Sequence, residues 1–110
     1  MIRLDPETIL NVYKKYYDQD LDIYNANRFL ALIGEVLAHL ANTGVLDLGQ
    51  VRDIAMKIRD AIVDAGGEIN LYVMELLGIL ENAESKNDII EALNLSRRLF
   101  REDRFEKLEV

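Results

Sequence analysis

Residues Phe29 to Ala41 read FLALIGEVLAHLA, in which eleven of thirteen residues are apolar or glycine and only Glu35 and His39 can hold a charge. At about 100° per residue, Arg28, Glu35, His39 and Asn42 fall into one strip roughly 60° wide, and every other direction around the axis is apolar. A helix of this kind has to be covered on nearly all sides. The stretch therefore predicts the centre of a helical bundle or a subunit interface.

The remaining sequence bounds what can cover it. One hundred and ten residues suit a single domain over 1–110 with one core. Half the chain is hydrophobic and 30% is charged, which is far from a disordered composition. With no cysteine and one histidine, thiolate chemistry and the usual zinc ligand sets are unavailable within one chain, and no cofactor is expected. The longest apolar run, broken by Glu35 and His39, falls short of the roughly 18 residues a membrane span needs. MIRLDPETI opens into a capped helix rather than a secretory signal, so a cytoplasmic protein is the expectation. A net charge of −7 disfavours generic binding to phosphate backbones.

Punctuation along the chain predicts an all-α bundle of about five helices. Asp5-Pro6-Glu7 supplies a cap, a proline for the first helical position and an acid in the first turn. The second helix begins near Tyr24 or Asn25 and stops at Asn42-Thr43-Gly44. The third follows Asp47 and runs to Gly66-Gly67, leaving Met56 and Val63 outside its apolar stripe. The fourth lies between Glu68 and Asn82 and is again apolar nearly all round, which makes it a second candidate for central burial. Ser85 with Asp88 reads as a capping box, from which a last helix continues to about Phe105. No segment alternates with period two, so no sheet is expected.

Ala31, Gly34, Ala38 and Ala41 place four small residues along one edge of the second helix. A mid-helix glycine costs about 1 kcal/mol against alanine, so another helix is expected in that groove, from the same chain or a second one. A small bundle has room for about one fully buried helix, and two are indicated. The expectation is a two-fold homodimer that uses this seam together with Leu71, Met74 and Gly78 of the fourth helix.

Three constellations suggest chemistry. Asp18, Asp20 and Asp22 resemble the start of an EF-hand calcium loop, but Ile23 stands where that loop needs glycine and Phe29 where it needs glutamate. They read as an acidic interhelix connection. His39, a lone helical histidine in a small acidic bundle with AHLANTGVLDLG around it, is similar to the site of histidine phosphotransfer domains. That resemblance implies a phosphoryl-accepting histidine. The lysine and glycine such domains carry three and four residues later are Asn42 and Thr43 here. Otherwise His39 pairs with Glu35 on the surface.

Arg97, Arg101 and Arg104 line the last helix, with Arg98 and Lys107 nearby, and offer contact to an acidic partner or to nucleic-acid phosphates. Interleaved Glu102, Asp103 and Glu106 predict pairs such as Arg98 with Glu102 on a solvated face. The third helix resembles a helix-turn-helix in outline, without side chains suited to reading base edges. Together these features point to a non-enzymatic interaction module or accessory subunit. Phosphotransfer around Glu35 and His39, and a nucleic-acid role for the arginines, stand as alternatives.

Overall fold

The computed structural model describes residues 4–18 and 22–106. Five helices, α1 (Pro6–Tyr17), α2 (Ile23–Asn42), α3 (Leu48–Asp64), α4 (Leu71–Glu81) and α5 (Lys86–Glu102), form an all-α bundle with no strand among the described residues. Their ends follow local chemistry. Asp5 caps α1, accepting from the Thr8 hydroxyl at 2.8 Å, and Pro6 occupies the first helical position. Asp47 and Gln50 close a reciprocal capping box on α3, with bonds of 2.8 and 3.0 Å. On α5 the Asp88 carboxylate accepts from the backbone N–H groups of Glu84 and Ser85 at 2.8 and 3.2 Å. Gly44 and Gly66, with φ of 79° and 78°, turn the chain after α2 and α3.

The arrangement follows from α2, which packs against all four other helices. Around it α1, α3, α4 and α5 form an arc in which each touches the next, and α1 and α5 do not meet. Ala26, Phe29, Leu30, Ala31, Ile33, Leu37 and Ala38 are all buried by this arc. The gap between α1 and α5 leaves one edge of α2 open. Leu32 and Val36, 44% and 42% exposed, lie along it beside Arg28 and His39. The open strip is thus wider than the 60° expected, because four neighbours do not close a ring around a fifth helix.

The small-residue seam is filled from within the chain. A Cβ built on Gly34 would lie 2.8 Å from a Leu76 methyl and 3.1 Å from its Cγ. Ala31, Gly34 and Ala38 are buried and Ala41 is partly buried, so α4 of the same chain takes the groove. Of the two neighbours expected for that groove, the helix of the same chain is the one present at Gly34. The expectation of a second central helix changes too. Val73, Leu76, Leu77 and Leu80 of α4 face inward, whereas Leu71 and Met74 face out. α4 is a peripheral helix whose outer side carries Leu71 and Met74 beside the exposed Glu75.

The C-terminal end differs from expectation in a third way. α5 stops at Glu102, Asp103 adopts a left-handed conformation with φ of 55°, and the chain turns back so that Phe105 is fully buried. Phe105 meets the rings of Tyr24 and Phe100, with centroids 5.9 and 4.8 Å away. Burying that ring outweighs another turn of solvent-exposed helix.

Gly34→Ala is expected to lower stability by about 1 kcal/mol, because overpacking against Leu76 (about 1–3 kcal/mol) exceeds the gain in helix propensity. Gly78→Ala, which meets nothing within 4 Å, is expected to raise it by a similar amount in dilute solution. Denaturant unfolding of the two variants checks the opposite signs.

Candidate interaction faces

Three surfaces hold the residues singled out by the sequence. The first is the open edge of α2. Arg28 there is already engaged, with its guanidinium 5.5 and 5.8 Å from the Phe100 and Phe105 ring centres, 3.8 Å from Asp103 and 3.3 Å from the Tyr24 hydroxyl. Tyr24 donates to Asp103, and that bond pushes its phenol pKa up. Arg28 therefore ties the returning C-terminal segment to α2. Further along, Glu35 Oε1 lies 3.7 Å from His39 Nε2, the loose i, i+4 pair of an accessible helix face, and Asn42 ends the strip partly buried.

The acidic connection between α1 and α2 supplies caps. Asp18 ends α1, and the Asp22 carboxylate accepts from the Asn25 side chain at 3.0 Å just before α2. Asp20 lies outside the described residues. Among the described residues no group of three or more histidine, cysteine, aspartate or glutamate side chains is arranged to hold a metal ion.

The second surface is the outer side of α4. Leu71 and Met74 are 56% and 37% exposed, and Gly78 follows at helical spacing with nothing of the same chain within 4 Å of a built Cβ. On the α3 side the Arg59–Glu81 ion pair, 2.7 Å long, borders this face. Arg52, beside Met56 in the sequence, instead donates to the Ala83 carbonyl at 2.7 Å and fixes the α4–α5 connection. Met56 and Val63 remain exposed on α3.

The third surface is α5. Arg104 leaves the expected arginine row, since the left-handed turn at Asp103 carries it away. It binds the Tyr72 hydroxyl at 2.7 Å, stacks over that ring and pairs with Glu102 at 2.6 Å. Glu102 is thereby diverted from Arg98. Among the described residues Arg97, Arg98 and Arg101 have no ion-pair or hydrogen-bond partner, whereas Arg28, Arg52, Arg59 and Arg104 all do. Lys107 lies outside the described residues.

Residue spacing does not single out one buried polar link. The Asn27 side-chain oxygen accepts from the Asn70 N–H at 2.7 Å, its amide donates to the Ile23 carbonyl at 3.0 Å, and Asn70 caps α4 and donates to the Glu106 carbonyl. It joins α2, the start of α4 and the C-terminal segment. Its only trace in the sequence is an asparagine about 90° from the polar strip of α2.

His39→Ala is expected to leave stability within about 0.5 kcal/mol, because it removes only an exposed, 3.7 Å pair. Thermal unfolding checks this, and incubation with acetyl phosphate is expected to leave the chain unlabelled. Comparison with known proteins returned no matching family model, curated relative or solved structure.

Proposed function

We propose that this chain is a non-enzymatic interaction module or accessory subunit of the cytoplasm. It pairs with a second copy through the outer face of α4 and presents other surfaces to a further macromolecule. The observation that supports this reading is Gly78. A glycine inside a helix costs about 1 kcal/mol against alanine. At Gly34 that cost is offset by Leu76, but within one chain nothing occupies the space beside Gly78. Leu71 and Met74 share its face and stand exposed.

A two-fold contact sets the same patch against itself. Two α4 helices crossing at Gly78 approach more closely than the 8–10 Å or so of ordinary helix packing, and each shields the other's Leu71 and Met74. Covering the exposed 56% of Leu71 and 37% of Met74 contributes about half of the roughly 1.5–3 kcal/mol of a full burial, and the contact doubles each gain. Among the described residues no helix is long and apolar enough to cross a membrane.

Sedimentation velocity at concentrations up to tens of micromolar is expected to give a dimer for the native chain. Gly78→Arg and Met74→Glu are expected to sediment as monomers with helicity and unfolding in dilute solution preserved. A native chain that stays monomeric, or a dimer indifferent to both substitutions, overturns the reading.

A further inference from the structure

The seam between α4 and α5 is not closed on its outer side. A cavity of about 450 Å³ is lined by Glu75 and Ile79 of α4 and by Glu91, Leu95, Arg98 and Arg101 among others on α5. It shares Arg98 with a second cavity of about 250 Å³, which shares Tyr72 and Arg104 with a third of about 210 Å³. The first of them is the furrow between the two helices. Along α5 it runs from Glu91 to Arg101, about 15 Å or nearly three helical turns.

We infer that this furrow receives an acidic amphipathic helix of a partner protein, which rests on the interaction-module reading above. Its length fits an extended ligand rather than a single ion. Its floor is Ile79 and Leu95, and Glu75, Glu91 and Asn94 share the lining with the arginines. Its rim carries Arg97, Arg98 and Arg101, the three arginines without partners among the described residues of a chain whose net charge is −7. Elsewhere in the described structure the arginines are tied up internally, so these guanidinium groups stand ready to take carboxylates through paired N–H donors.

A helix lays apolar residues at i, i+4 and i+7 over such a floor and holds its acids along one flank, against the arginines. Charge at the furrow's edges decides against a nucleic acid. Glu75 and Glu91 line the same cavity as the arginines. A phosphate backbone bears charge at every residue and meets both carboxylates, whereas a helix keeps its acids on one side and passes them with neutral residues.

The probe is a synthetic blocked helix of about 16 residues, with leucines on one face and glutamates on one flank. Calorimetry and amide and methyl NMR shifts read its binding. Saturable binding is expected, with shifts centred on Arg98, Arg101 and Ile79. Arg98→Glu with Arg101→Glu is expected to weaken it about tenfold or more and to admit the counterpart peptide with lysine for glutamate. Arg98→Gln with Arg101→Gln serves if the double reversal unfolds. Absence of saturable binding, shifts elsewhere, an affinity unchanged in both double variants, or tighter binding of oligothymidylate than of the peptide overturns the inference. A chain that dimerises but ignores the peptide sinks the furrow alone. One that binds the peptide and never dimerises sinks the α4 contact alone.

Discussion

Leu76 of α4 seated over Gly34 of α2 is the contact on which the rest of the bundle depends. A methyl group at position 34 meets the Leu76 side chain, which then has to shift, and α4 is the keystone of the arc, touching α3 on one side and α5 on the other. With α4 drawn close, Leu80 also reaches toward Gly34, and Ala31 and Ala38 are sealed from water. Removing a buried leucine from such a position costs about 2–5 kcal/mol, a large fraction of what holds a domain of this size together. The core is therefore specified by shape as much as by hydrophobicity.

The same close approach determines what is left on the outside. α4 places Leu76, Leu77, Leu80 and Val73 in the core and Tyr72 and Ile79 against it, which leaves Leu71 and Met74 pointing away. Because α1 and α5 do not meet, the edge of α2 with Leu32 and Val36 stays open as well. The returning segment at Phe105 covers one end of that gap, held by Arg28 and by the link from Asn70 to Glu106. The furrow arises within the arc, on the outer side of the α4–α5 seam, where Arg97, Arg98 and Arg101 line it with no carboxylate at pairing distance among the described residues.

Much of this was legible in residue order. Caps at Asp5, Asp47 and Ser85, glycines at 44 and 66, and the period of the apolar residues mark all five helices, because such signals act within one or two turns. The small-residue row marked a groove, but a row of alanines around one glycine carries no label for which helix enters it. Leu76 decided that, from 42 positions away in the chain. Likewise Arg104 shared the spacing of Arg97 and Arg101 and left their row only because Phe105 is drawn into the core, a long-range event that helical periodicity does not encode. Asn27 and Asn70 meet across 43 positions for the same reason.

The apolar surface falls in two parts, an inner seam closed by the chain itself and an outer α4 face that the proposed dimer would cover. An isotope-filtered NOE experiment on a mixture of labelled and unlabelled protein tests that division directly. Intermolecular NOEs are predicted among the Leu71 and Met74 methyl groups and the Gly78 protons, with none from the methyls of Ala31 or Ala38. Intermolecular signals from those two alanines, or none from α4 at concentrations of hundreds of micromolar, would contradict it.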